Sequence, residues 1–359
     1  MLNNGWCVLR GAVSPEKSTE LLNCFDEELM RLGFSCRFSD LQSCQFAKNM
    51  PSHFWGIDAC LLPLSYPAMK ARVEMRNQIA RLVLGVSKPE ELISSFDGVM
   101  VTYAGYTQKP QINPLMPRLP IDPKKGAGPG HIDQSQYREA TAESFQAYLA
   151  LTPIHKSDMG TCMLVPTGGH TIQSMMSELR QQFPESYTRG PKRVKTIGKT
   201  DEGFLFPQEH QDWLFSKGMC RLEKPDMNPG DILIWSSAIP HCGGTYKSDV
   251  KLHHPRLGVI AGFAPQEVVP QPQIDKLREI VGLGWTTGQQ VIYPSKHGGS
   301  FPGTLAKYTK PEDWPQAYKN IKAWRANLKA TGKRAYEDEP EDDELTKHKK
   351  RMFRSLLGL

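Results

Sequence analysis

The chain opens on two different hydrophobic periods. Residues 6–13, WCVLRGAV, have the composition of a short strand. Ser14, Pro15 and Glu16 then make a helix start: a hydroxyl that can cap, a proline at the first helical position and an acid in the first turn. Leu21, Leu22, Phe25, Leu29 and Leu32 follow at helical spacing and predict one apolar face. A second helical pattern covers 66–85, YPAMKARVEMRNQIARLVLG, with Gly85 as its stop. The next stretch, ELISSFDGVMVTYAG, turns to β-type composition.

Periodicity then disappears over 105–130. Pro110, Pro114, Pro117, Pro120 and Pro123 precede KKGAGPG, in which Gly126, Gly128 and Gly130 alternate with other residues. A stiff arm on a flexible base predicts a lid or binding loop, with a plain surface excursion as the alternative. From 145 onward short apolar runs bounded by Pro, Gly or Asp predict strands: FQAYLALTPI, TCMLVP, DILIWSSAIP and RLGVIAGFAP. TIQSMMSELRQQF between them and 313–331 read as helices. The pattern predicts an α+β fold, mainly β at its core, of the jelly-roll or cupin-like kind with flanking helices. One domain spans 1–335: a helical part over 1–97, a jelly-roll core over 98–265 and an extension over 266–335. The remainder, 336–359, holds EDEPEDDE and then KHKKRMFR, and its charge blocks predict a solvated, mobile tail.

Composition changes this picture little. The 359 residues are 39% hydrophobic and 23% charged, as expected of a soluble globule. No apolar run approaches the ~20 residues of a membrane helix, and MLNNGWCVLRGAV does not read as a secretory leader, so a cytoplasmic location is expected. The eight cysteines include no CxxC pair, which fits reduced thiols. A net charge of +6 permits an anionic small molecule; no basic face interleaved with aromatics points to nucleic acid.

Candidate chemistry begins at GPGHIDQ. His131 and Asp133 are two apart, which on a strand means one face. His241 ends an apolar strand launched by a Gly-Asp turn, in GDILIWSSAIPHCGG, 108 residues after Asp133. Two histidines and a carboxylate fill one face of an octahedron and leave three positions open, the pattern of non-haem Fe(II) oxygenases. Arg256, 15 residues after His241, opens RLGVIAGF, where Gly258 and Gly262 share its face and would leave room for a ligand. A guanidinium there suits the distal carboxylate of 2-oxoglutarate. Each signal alone has an ordinary reading: polar residues at a strand edge, a structural histidine, a surface arginine.

These motifs resemble the phytanoyl-CoA dioxygenase family of Fe(II)/2-oxoglutarate oxygenases over most of 1–265. The likeness rests on GWCVLRGAVSPEKSTELL, GHIDQ, FQAYLALTPIHKSDMGTCMLVPTGGH, and GDILIWSSAIPHCGG with PRLGVIAGFAP. It implies the double-stranded β-helix, a jelly-roll form. It also implies iron on His131, Asp133 and His241, with 2-oxoglutarate on Arg256 and ascorbate as a reductant. The chain departs from the family where PTGG replaces Pro-Gly-Ser before His170, and in a longer gap between His241 and Arg256 that contains Lys251, His253 and His254.

Gln134 is a further candidate. Adjacent to Asp133, it faces away on a regular strand, but a bend would aim its amide at the metal or cosubstrate. Gln146 could contact a ligand or be an interior satisfied polar group. His170, Trp235 and Cys242 read as structural, and His297 in KHGG could close over a substrate. The expected reaction is oxidation, mainly hydroxylation, of a C–H bond in a small organic substrate, with succinate and CO2 as coproducts. Alternatives are the same chemistry on a nucleobase or protein side chain, a cupin-like metal enzyme without 2-oxoglutarate, and a non-catalytic binding module.

Overall fold

The computed structural model describes residues 4–31, 37–40, 64–82, 86–102, 130–134, 144–155, 161–188, 196–197, 203–243, 256–288, 291–292, 294, 296–297, 316–335 and 344–359. In chain order these form β1 (Trp6–Leu9), α1 (Pro15–Arg31), α2 (Tyr66–Ala80), β2 (Leu92–Ser94), β3 (Val99–Thr102), β4 (His131–Ile132), β5 (Phe145–Ala150) and β6 (Thr161–Pro166). Next come α3 (Ile172–Gln182), α4 (Pro184–Tyr187), β7 (Thr196–Ile197), β8 (Gly203–Leu205), α5 (Gln208–Ser216), β9 (Cys220–Glu223), β10 (Ile232–Ser236), β11 (His241–Gly243) and β12 (Arg256–Pro265). The chain continues through α6 (Gln271–Gly282), β13 (Thr286–Thr287), β14 (Lys296–His297), α7 (Gln316–Thr331) and α8 (Glu344–Leu356). The loop expected over 105–130 lies outside the described residues except for Gly130.

The fold is α+β, with two six-stranded antiparallel sheets. The first runs β1-β10-β5-β12-β2, with β3 also on β12, and the second runs β7-β8-β4-β11-β6-β9. In the first sheet the central strands β5 and β10, and β12 over 257–264, are buried on both faces. Ile232 and Ile234 of β10, Ala147 and Leu149 of β5, and Val259, Ala261 and Phe263 of β12 pack under Leu21, Phe25 and Leu29 of α1 and Ala71, Met75 and Ile79 of α2. The alternate residues Leu233, Trp235, Tyr148 and Ile260 pack with Ile132 and Met163 of the second sheet. That double burial explains why these strands read as continuous apolar runs. Beyond the second sheet, Met175 and Leu179 of α3 and Leu214 of α5 complete the same cluster.

Local signals act as expected at α1, where Ser14 Oγ accepts the Lys17 N–H at 3.3 Å. Helix α2 ends at Ala80, short of the expected 85. Leu82, which the stripe would bury, is exposed, so the apolar face has already run out. In the turn after β6, Gly168 and Gly169 have φ of +62° and +83°. Two successive left-handed residues favour glycine, which accounts for the PTGG departure.

Residues 344–359, expected to be solvated, are instead packed. Helix α8 buries Met352, Phe353, Leu356 and Leu357 against Ile93, Phe96, Met69 and Leu277. Phe353 stacks on Phe96 at 5.6 Å, and Arg76 of α2 donates to Ser355 O and Oγ, both at 2.8 Å. The basic run occupies the outward face, with Lys347, Arg351 and Arg354 exposed, while 336–343, which hold most of the acidic run, lie outside the described residues. Helix formation separates those charges from the apolar side chains interleaved with them.

Candidate metal centre

The site lies where the second sheet faces the first. Strands β4 and β11 are antiparallel neighbours, with His131 directly opposite His241. Opposite residues on one face bring their side chains together, and the two imidazole centroids are 4.4 Å apart. The pair is held by backbone bonds on both sides: Gly130 N–H donates to His241 O at 3.0 Å, and Phe206 N–H donates to Gly130 O at 3.2 Å. Asp133 follows β4 two residues after His131 and turns to the same point. Its Oδ1 is 3.6 Å from His131 Nε2, and its Oδ2 is 3.2 Å from His241 Nε2. One ligand atom from each of His131, Asp133 and His241 lies within 4.8 Å of the others, the sole such group of three among the described residues.

Protonation follows from the surroundings. His241 Nδ1 is 2.9 Å from Ile239 O, which can only accept, so Nδ1 carries the proton. Nε2 of the same ring then faces Asp133 Oδ2 at 3.2 Å. Burial pushes the His131 imidazole down to about 4, against the pull of Asp133, so it is neutral at neutral pH. Burial also works against the charge on Asp133. The two histidines and the Gln146 amide outweigh it and hold the carboxyl below the ordinary carboxylate range. Two imidazole Nε2 atoms and a carboxylate therefore converge on one point, and a cation bound there would displace any proton shared by His241 Nε2 and Asp133 Oδ2. Such a set suits a divalent cation, and two imidazoles plus one carboxylate match the facial arrangement described above. The donor set fits iron on its own chemistry.

Arg256 is the first residue of β12, paired with Thr102, and its side chain lies outside the described residues. The room expected over Gly258 is taken: a Cβ there would lie 2.1 Å from Tyr148 Cζ, so the glycine accommodates the phenol ring. Gln134 is buried after β4, and its Oε1 accepts the Ser237 hydroxyl at 3.1 Å. His170 sits in the turn before α3, where its N–H donates to Thr167 O, away from the metal-ligand group. Trp235 is buried with its ring centroid 5.4 Å from that of His241. Cys242 and His297 are placed in β11 and β14, with side chains outside the described residues, as are Lys251, His253 and His254.

Two residues at the site carry roles the sequence does not signal. Gln146 Nε2 donates to Asp133 Oδ2 at 2.9 Å across the gap between the sheets. Gly203 of β8 lies against the ligand strand: a Cβ there would be 2.7 Å from Ile132 O and 3.6 Å from Asp133 Oδ1. A lone Gly before a short strand has many ordinary explanations, and no spacing rule links position 203 to 133.

No family model and no curated protein matches the chain. Among solved structures it is similar to HygX from Streptomyces hygroscopicus with nickel, 2-oxoglutarate and hygromycin B bound, at 14% identity and a TM-score of 0.37, covering 73% of this chain and 84% of that one. It is also similar to EvdO2 from Micromonospora carbonacea var. aurantiaca complexed with 2-oxoglutarate, at 14% identity and a TM-score of 0.37, covering 73% and 86%. A third is the non-heme alpha ketoglutarate dependent epimerase SnoN from nogalamycin biosynthesis, at 14% identity and a TM-score of 0.37, covering 73% and 78%. Likenesses of this degree leave the functional reading to the geometry of the site.

Proposed function

We propose that the chain is an Fe(II)- and 2-oxoglutarate-dependent oxygenase that oxidises a C–H bond of a small organic substrate. The observation that carries this is the convergence of one ligand atom each from His131, Asp133 and His241 on one point between the sheets. Iron(II) with 2-oxoglutarate and O2 would supply an oxidant strong enough for an unactivated C–H bond, leaving succinate and CO2. The residues of the chain bind and orient. Ile239 O fixes the His241 tautomer, the β4–β11 pairing fixes both rings, and the apolar layer of Tyr148, Leu233 and Ile260 keeps water from the inner wall.

Strand alternation supports the double-stranded β-helix. β3, β5, β10 and β12 belong to the first sheet, while β4, β6, β9 and β11 belong to the second. The sequence motifs support the phytanoyl-CoA dioxygenase family within this class. Arg256 is proposed as the anchor of the distal carboxylate, and Gln134 as a residue near the cosubstrate.

The test loads the protein with Fe(II), 2-oxoglutarate and ascorbate under air and measures succinate against a library of small carboxylates, amino-acid derivatives and acyl-CoA thioesters. Succinate above background is expected. Arg256→Ala should keep iron and raise the KM for 2-oxoglutarate by ~10²-fold, the loss of a bidentate charge-assisted contact. Fe(II)-loaded protein that binds no 2-oxoglutarate would end this reading in favour of a cupin-like metal enzyme.

A further inference from the structure

We propose that Gln146 is a positioning residue for Asp133: it grips one carboxylate oxygen from the opposite sheet and so selects the other for the metal. This rests on the metal reading of His131, Asp133 and His241.

Gln146 is the second residue of β5, paired between Trp235 of β10 and Gly262 of β12. It is fully buried at 0% exposure, in a strand whose other residues are Phe145, Ala147, Tyr148, Leu149 and Ala150. Such a position is ordinarily apolar. The side chain uses only one of its two ends. Nε2 donates to Asp133 Oδ2 at 2.9 Å, while the buried Oε1 has no hydrogen-bond partner. A glutamine serving the packing alone would be satisfied at both ends or replaced by an apolar residue of its size. The orphaned carbonyl marks a residue retained for its donor.

What the donor controls is the plane of the carboxylate. Asp133 stands in a bend after a two-residue strand, so β4 itself does little to fix its side chain. With Oδ2 held by Gln146, Oδ1 is the oxygen left open beside His131 Nε2. On that side the chain passes at Gly203, where a Cβ would meet Oδ1 only at an ordinary contact distance of 3.6 Å. The donor is also uncharged: it orients the carboxylate without cancelling the charge that would bind the cation. Gln146 thus leaves Asp133 a one-oxygen contact with the cation, which keeps the three open positions of a facial set.

The experiment uses Co(II) as a spectroscopic substitute in the full chain. The parent should bind one Co(II) with d–d bands of a high-coordinate N/O site. Gln146→Met keeps the volume and removes both polar ends. Its Co(II) affinity should fall by about tenfold or more, with altered d–d bands. Its metal-free Tm should stay equal or rise, because the orphaned carbonyl has gone with the amide. Gln146→Glu, which sets an acceptor against Oδ2, should lose more affinity than the Met variant. Parent-like affinity and bands in Gln146→Met, or a lowered metal-free Tm with unchanged affinity, would reduce Gln146 to packing. Should neither variant fold, the parent labelled with ¹⁵N-glutamine decides. The Gln146 amide protons should be inequivalent and shift on adding Zn²⁺, and an indifferent amide overturns the proposal. A parent that binds no Co(II) refutes the metal centre itself, an outcome distinct from any of these.

Discussion

The two sheets solve different problems with the same kind of strand. The first has its long members, β5 of six residues and β12 of ten, buried on both faces. The second places His131 and His241, the proposed metal ligands, on β4 and β11, which are two and three residues long. A long strand buried on both faces cannot easily present a charged or ionisable group, because each such group loses water on every side. A short strand releases its chain into bends within a few residues, as β4 does at Asp133. The stiff sheet thus supplies a wall and one donor, Gln146, and the short-stranded sheet supplies the ligands. The comparison predicts that damage to one sheet shows as lost metal and damage to the other as lost stability.

The largest effect should follow from breaking the ligand side. His131→Ala or His241→Ala should lower turnover by ~10³-fold or more, because the cation loses one of three protein ligands. Far-UV circular dichroism should be unchanged. Succinate formation within tenfold of the parent would remove these residues from the site.

On the wall side, Phe263→Ala removes a fully buried ring stacked on Phe145 at a centroid distance of 6.2 Å. It should cost ~3–5 kcal/mol of unfolding free energy, read by urea titration, while the folded fraction keeps the parent affinity for Co(II). A large loss of metal affinity in this variant would mean that the sheets are not separable in this way.

Gly203→Ala sharpens the comparison, because it is a small change on the ligand side. The new Cβ would meet Ile132 O at 2.7 Å, so β8 and β4 must part. The cost should be ~1–3 kcal/mol in stability, together with a weaker Co(II) site. Affinity equal to the parent would show that β4 can shift without moving its ligands.

The smallest effect concerns pH. His210 is buried in α5, with Nδ1 3.0 Å from the Tyr187 hydroxyl, and burial pushes its pKa down to about 4. The unfolded chain takes up this proton near pH 6.5 and the folded chain does not. Stability is therefore full above that pH and declines as pH falls from about 6.5 to about 4. His210→Gln should flatten the fall of Tm over that window by a few degrees. An identical profile in the variant would place the acid sensitivity elsewhere.

Much of this architecture was legible in the chain, for reasons that differ by element. Helix α1 announces itself through Ser14, Pro15 and a stripe at helical spacing, because its determinants are local. The convergence of His131, Asp133 and His241 was legible because strand alternation carries the first two to one face and a strand end presents the third. Gln146 and Gly203 were not, because their partners lie across a gap or on a neighbouring strand that no local pattern specifies. Helix α8 was hidden for a different reason. Lys347, Lys349, Lys350, Arg351 and Arg354 dominate its composition, while its apolar content sits in Met352, Phe353, Leu356 and Leu357. Those four residues become a face only once the chain is helical.

That last helix closes on residues laid down far earlier: Arg76 meets Ser355 across 279 positions. During synthesis the groove formed by Met69, Ile93 and Phe96 must wait, exposed, until residues 352–357 have been made. A contact of such separation forms late, because the loop entropy is lost before any burial is gained. The early helices are therefore surfaces that a chaperone would cover, and a chain stopped short of residue 344 would keep them sticky.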